Sequence, residues 1–389
     1  MKIVFDGQLL LSRDKTGIAW NAHNLILELV KYPDHEYSIQ CFKNRQIHSL
    51  DVYKEAGCTV ECCNWSGYLL YKLLWAFIPV PRHMFFHTRA DLTQFFNFVI
   101  PPGVAGKRIT FIYDMAYKAC PEAVSPKTRI WLEMGMRRTC MRANHIVTVS
   151  AFSKKEIVKY LNVPENKITV IPNAVDHTVY HTGYSKKQRN KVRKKYGIRA
   201  EYILYLGTIE PRKNLERLIG AYERLCLKRK QVPQLVLAGK KGWLCEGIYE
   251  KARKSACRNS ILFTGYVSQK DSPLLMSGAK IFVFPSLYEG FGMPVLEAMA
   301  CAAPVITSDR ASLPEVVGEA GLLADPENEK ELCGAMCRLL EDDAYRERLR
   351  MLGPERAKKY TWAKSAAMLM DVYHQVLAVP AENQDTGGI

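Results

Sequence analysis

The sequence predicts an α/β chain built of two doubly wound domains. Three observations lead there. Short, β-branched apolar runs alternate with amphipathic stretches from end to end, as buried parallel strands alternate with helices. The alternation stops once, at a strandless and strongly basic segment, and then restarts. The length, 389 residues, suits two domains of roughly 100–200 residues each.

Taken in order, residues 2–5, 108–113, 145–149 and 168–171 read as brief buried strands ended by turn or polar residues. Between them, Ser125-Pro126 opens a helix as an N-cap followed by proline at the first helical position. After the basic segment, residues 202–206, 234–238, 261–264, 281–284 and 305–308 repeat the strand pattern, each followed by a turn and a helical run. The division expected is a first domain over 1–180, a basic interdomain segment over 181–200, a second domain over 201–360, and a terminal helix over 361–378 that packs back on the first domain. Residues from Val379 onward read as a frayed tail.

Charge is unevenly spread. Residues 1–182 carry 22 basic and 15 acidic side chains, 183–200 carry eight and none, and 201–389 carry 25 and 24. Half of the net +16 therefore sits in eighteen residues. A nucleic-acid reader interleaves aromatics with its bases, whereas this segment has only Tyr184 and Tyr196 near its edges. No nucleic-acid partner is expected, and the segment reads as a solvated linker or surface helix.

The twelve cysteines include no Cys-x-x-Cys pair, so no zinc site is expected. Cys333 and Cys337, at helical spacing in an apolar-periodic run, read as core. Free thiols and an opening strand without a long apolar leader point to a reducing cytoplasm. The most apolar window, 68–80, holds Lys72 and stops at Pro79. It is too short to span a bilayer and reads as a buried helix, or alternatively as a surface that touches lipid. There is no Walker motif, no dinucleotide fingerprint after the first strand, and no Asp-x-Asp of the kind that holds a cation beside a nucleotide-sugar.

The chemistry is concentrated in residues 282–300. A buried strand ends at Pro285, a loop with Gly290 and Gly292 follows, and Pro294 opens a helix. Backbone amides at such a loop and helix start can approach an anion or a sugar hydroxyl. Two acids frame the loop. Glu289 follows the carboxyl end of the strand, where open α/β sheets bind ligands, and Glu297 falls in the expected first turn of the helix. Singly, Glu289 reads as a solvated loop acid and Glu297 as a partner of the helix dipole.

Together with its context, this stretch resembles the Glu-x7-Glu motif of retaining glycosyltransferases of the GT-B fold, two Rossmann-like domains facing across a cleft. Nearly the whole chain is similar to bacterial polysaccharide glycosyltransferases of family 4, the mannosyltransferase-like group. The matching residues are Asp6-Gly7 and Thr16-Gly17-Ile18 near the start, Tyr113-Asp114 where the family has a His-Asp pair, and the runs 147–153 and 170–176, which include Ser150 and Asn173. In the second half they are 206–214, with Thr208, Arg212 and Lys213, then Gly239 to Trp243, and 263–267, with Tyr266 and Val267.

The resemblance implies an enzyme that moves a sugar, best read as mannose from GDP-mannose, onto a growing lipid-linked cell-surface polysaccharide such as lipopolysaccharide. A UDP-sugar donor or a nucleotide-sugar 2-epimerase are the alternatives. It implies that Glu297 accepts the ribose hydroxyls, Glu289 faces the transferred sugar, backbone groups of Phe291, Gly292 and Met293 hold sugar hydroxyls, and Gly17 lies against the phosphates. A departing diphosphate needs charge stabilisation. Relatives often supply an arginine where this chain has Thr208, so Arg212, with Lys213, is expected to take that part. Asp114 is the candidate to orient or deprotonate the acceptor; alternatively it caps the next turn. Tyr113 replaces a histidine that approaches the sugar in relatives, and a phenol is a poor base near neutral pH. No cofactor and no metal are expected. Arg129, Arg137, Arg138 and Arg142 on one predicted helix suggest a peripheral contact of the first domain with the anionic inner face of the plasma membrane.

Overall fold

Every strand pairing within the two sheets is parallel. The computed structural model describes residues 1–12, 16–43, 47–65, 80–199 and 201–379. The first sheet contains β1 (Lys2–Asp6), β2 (Glu36–Phe42), β3 (Thr59–Cys63), β4 (Leu92–Phe95), β5 (Lys107–Phe111), β6 (His145–Thr148) and β7 (Ile168–Val170), in the order β3-β2-β1-β4-β5-β6-β7. The second contains β8 (Tyr202–Leu206), β9 (Gln234–Ala238), β10 (Ile261–Gly265), β11 (Ile281–Phe284), β12 (Val305–Ser308) and β13 (Gly321–Ala324), in the order β10-β9-β8-β11-β12-β13. Both orders reverse at the first strand of their sheet, and such a switch point opens a crevice at the carboxyl ends of the strands.

The strands that the pattern predicts are those with uninterrupted apolar runs, such as β8 and β11, whose Tyr202, Ile203, Leu204, Ile281, Phe282 and Val283 are all fully buried. β2, β3, β4 and β13 escape it. In β2 and β4 the apolar run is broken by Ser38, Gln40, Thr93 and Gln94, yet all four are buried. Gln40 can be buried because its amide accepts from Arg82 Nε (2.9 Å) and donates to Glu61 Oε2 (3.0 Å). β13 is a short Gly-Leu-Leu-Ala run that periodicity does not mark.

Helix starts follow their caps. Ser125 accepts from Thr128 N ahead of Pro126–Arg142, and Thr16 accepts from Ala19 N ahead of Gly17–Leu29. Pro126–Arg142 carries the four arginines singled out above, but Arg142 turns inward, Nη1 donating to the Ile100 carbonyl (3.1 Å). The basic segment is a surface helix, Lys186–Lys195, with a full capping box and one buried side chain, Val192. It docks on the second domain through Arg189 to the Ser277 carbonyl (3.1 Å) and through Lys195 and Tyr196 to Asp271 (2.5 and 2.8 Å). The last helix, Trp362–Ala378, crosses to the first domain: Ser365 Oγ donates to the Pro172 carbonyl (2.7 Å), and Tyr373 Oη to Gln94 Oε1 (3.1 Å).

All twelve cysteines are free thiols, and Cys333 is buried in helix Glu329–Glu341. Among the described residues no group of His, Cys, Asp or Glu could hold a metal, and no helix is long and apolar enough to cross a membrane. The apolar window 68–80, except Val80, and the tail beyond Val379 lie outside the described residues.

Candidate functional site

Two loops at the carboxyl ends of β8 and β11 build one wall. After β8 the chain turns through Pro211–Lys213 and reaches Asn214, a left-handed residue (φ 60°) that opens helix Leu215–Lys228. Asn214 Nδ2 donates to the carbonyls of Pro285 (3.1 Å) and Pro326 (2.6 Å), and Leu287 N donates to the Arg212 carbonyl (2.9 Å). These bonds tie the loop after β11 to the turn after β8, so Glu289, Arg212 and Lys213 meet.

Their side chains form a buried ion cluster. Lys213 Nζ donates to Glu289 Oε1 and lies 4.9 Å from the centre of the Phe284 ring. Arg212 Nη1 is 3.2 Å from Glu289 Oε2 and donates to the Tyr288 carbonyl (2.7 Å), while Nη2 donates to Glu210 Oε1 (2.9 Å). Burial alone would push the Glu289 carboxyl up, but Arg212 and Lys213 outweigh it and hold it at about 2. Burial and the neighbouring guanidinium lower the Lys213 ammonium from its ordinary value, against the pull of Glu289. Glu289 is therefore a carboxylate fixed by two cations rather than a solvated loop acid.

The opposite wall comes from the first domain. Asp114 follows β5 and accepts from Ala116 N (3.0 Å), so it caps the next turn. It also lies in the field of the cluster. Burial raises its carboxyl, Arg212 and Lys213 oppose that, and Glu289 adds to it. A Cβ on Gly290 would stand 2.4 Å from the Tyr113 carbonyl and 3.0 Å from Asp114 Cβ, so only glycine lets the loop lie this close to Tyr113-Asp114. Helix Ala151–Leu161 joins the walls. Ser153 Oγ lies within bonding distance of the Tyr113 (2.9 Å) and Gly290 (3.2 Å) carbonyls. Tyr288 Oη donates to Glu156 Oε2 (2.6 Å) and accepts from Met115 N (2.9 Å), while the Glu315 carboxylate accepts from Ala151 N and Phe152 N (3.1 and 3.2 Å).

Glu297 stands apart from this cluster. Helix Met293–Ala300 begins one residue before Pro294, with Gly292 (φ 99°) as its N-cap, so Glu297 is in the second turn and is not a dipole cap. Burial pushes its carboxyl up to about 8, and a hydrogen bond with Tyr180 only partly offsets this. The Tyr180 hydroxyl also lies 3.2 Å from Ser272 Oγ.

The remaining candidates divide. Gly17 and Met293 are each the first residue of a helix, Gly17–Leu29 and Met293–Ala300, and Thr208 follows β8, its carbonyl accepting from Tyr205 Oη (2.9 Å). Phe291 is buried edge-on against Tyr360, Val267 is buried, and Tyr266 is largely exposed. Gly239 packs against the Gly207 carbonyl, where a side chain has no room. Ser150 caps helix Ala151–Leu161. Tyr113 is buried away from the cluster: its hydroxyl donates to Asn21 Oδ1 (3.0 Å), and Asn21 Nδ2 donates to Asn173 Oδ1 (2.6 Å). Sequence reasoning missed Tyr180, Tyr288, Glu156, Glu315 and Asn21. Tyr288 directly precedes the first acid of the Glu-x7-Glu stretch, and that adjacency is the available signal; the others are distant partners that only the fold assembles.

Comparisons with known proteins show which family and fold the chain shares. A family model described as glycosyltransferase family 4 matches residues 16–179, and one described as glycosyl transferases group 1 matches residues 188–356. The chain is 35% identical over 279 residues to the O-antigen chain mannosyltransferase B of Escherichia coli, covering 71% of this chain and 72% of that protein. It is 33% identical over 240 residues to the serotype-specific mannosyltransferase WbdA of the same organism, covering 61% of this chain but only 29% of that longer protein. In fold it is similar to Anabaena Alr3699/HepE, solved in complex with UDP and glucose, with a TM-score of 0.71 at 18% identity over 96% of this chain and all of the other.

Proposed function

Because the chain belongs to the family 4 glycosyltransferases of the GT-B fold, we propose that it transfers mannose from GDP-mannose to a growing cell-surface polysaccharide, with retention of configuration and without a metal. The observation that carries this reading is the ion cluster of Glu289, Arg212 and Lys213, set against Asp114 where the two domains meet. Similarity to two mannosyltransferases supports the choice of sugar.

Arg212 and Lys213 carry the positive charge that a departing diphosphate requires. A diphosphate bound between the loops competes with Glu289 for both cations. As they turn to the phosphates, the Glu289 carboxylate is left facing the sugar, where its charge stabilises the developing oxocarbenium ion. Glu297 binds the ribose, and Asp114 orients the acceptor hydroxyl from the facing wall. No side chain is assigned as a covalent nucleophile; a donor phosphate oxygen takes the acceptor proton.

A thermal-shift panel of GDP, UDP, ADP and dTDP sugars identifies the donor, since bound ligand stabilises by mass action. Transfer from GDP-mannose to an O-polysaccharide acceptor is then measured with and without EDTA. Stabilisation by GDP-mannose and chelator-resistant transfer are expected. Conversion of the donor to an epimer without acceptor would contradict the transferase reading, as would activity lost to EDTA and restored by Mg²⁺ the metal-free one.

A further inference from the structure

Residues 183–200 hold eight bases and no acid; Lys195 pairs with Asp271, and the fold gathers three of the others at one place. Helix Lys186–Lys195 contributes Lys186, Arg189 and Arg193 to a pocket of about 320 Å³ on the second domain. Arg346 and Arg350, from helix Asp343–Ala357, and Lys280, just ahead of β11, line the same pocket. Its lining carboxylates are Glu201 and Glu347.

Local pairing does not balance this charge. Lys280 is 3.2 Å from Glu201, and Arg350 Nε is 3.3 Å from Glu347. Arg346 is fixed by the Leu339 carbonyl and Asp343, and Arg189 gives one donor to the Ser277 carbonyl. The cations still outnumber these acids two to one. Bringing guanidinium groups from two separate helices together in a concavity costs repulsion, which a bound anion offsets. Arginine forks match phosphate oxygens in pairs.

The pocket is separate from the donor cleft. Glu201 and Lys280 precede β8 and β11, whereas Arg212 and Glu289 follow those strands. β8 has five residues, so about 15 Å of strand lies between the two ends.

We propose that this pocket is a second anion site that takes a phosphate group, either on a free phosphate compound or on a lipid headgroup. Two probes separate the sources: inorganic pyrophosphate by calorimetry, and co-sedimentation with phosphatidylcholine vesicles with and without phosphatidic acid. The test variant is Lys186→Gln/Arg350→Gln, which leaves the Arg189 and Arg346 bonds to backbone intact, with a melting curve to check folding. Lys2→Gln/Lys31→Gln, two exposed lysines of the first domain, removes the same charge elsewhere.

Pyrophosphate binding that survives Arg212→Gln and weakens at least tenfold in the pocket variant assigns the site to free phosphate compounds. Vesicle binding that requires phosphatidic acid and falls as much in the pocket variant assigns it to lipid. Donor KM stays within twofold of wild type in either case. The proposal is overturned if neither probe binds through the pocket, or if the control variant loses as much binding as the pocket variant.

Discussion

Lys213 and Arg212 share one carboxylate: Lys213 donates to Glu289 Oε1, and Arg212 Nη1 lies 3.2 Å from Oε2. The acid of the loop and the two cations beside it are thus a single electrostatic unit, so removing one member changes the others. Lys213→Ala leaves the buried Glu289 with only Arg212, which raises its pKa from about 2, and it removes a cation from the leaving group. Transfer measured as kcat/KM is expected to fall about 10²–10³-fold, with Lys213→Arg recovering part of the loss. Wild-type rates in Lys213→Ala would separate the cluster from catalysis.

Glu297 sets a pH dependence. Its folded pKa of about 8 lies above the ordinary carboxylate value, so folding favours the protonated acid. The stability this brings is full below about pH 4.5 and is lost as pH rises through 8. In the proposed role Glu297 accepts ribose hydroxyls as a carboxylate, so donor KM is expected to fall as pH rises from 7 to 9. A pH series of donor KM for the wild type and Glu297→Gln checks this, and the variant should be flat. An equal slope in both would place the titration elsewhere.

Tyr113 ties the inside of the first domain together through Asn21, which itself bonds Asn173. Tyr113→Phe strands Asn21 Oδ1 in a buried site, and urea denaturation should show a loss of about 1–3 kcal/mol. Donor KM should stay within about twofold. A large change in KM at unchanged stability would return Tyr113 to the sugar.

Tyr288 bridges the domains between Glu156 and Met115 N. Tyr288→Phe is expected to lower kcat about tenfold by loosening the alignment of Asp114 with Glu289, while GDP affinity by calorimetry barely moves. Equal losses of kcat and GDP affinity would indicate a damaged donor loop instead.

How much of this was legible in the sequence depended on whether the signal was local. β8 and β11 announce themselves because strands buried on both faces are continuously apolar. β2 and β4 hide because Gln40 and Gln94 are satisfied by Arg82, Glu61 and Tyr373, partners from distant parts of the chain. Glu289, Arg212 and Lys213 could be singled out from motif and strand position, but not that Glu289 would be held by both cations. Glu297 was visible as a member of the pair, while its half-buried place beside Tyr180 was not. The second turn, not the first, became its place because Gly292 lets the helix start one residue early.

The account rests on a division of labour between the two acids, and steady-state kinetics of Glu289→Ala and Glu297→Ala, measured side by side with GDP-mannose and a polysaccharide acceptor, test it most directly. Glu289→Ala should lower kcat about 10²-fold or more with donor KM little changed, and Glu297→Ala should raise donor KM at least tenfold with a smaller effect on kcat. Two near-wild-type enzymes, or the reverse assignment of the two effects, would contradict it.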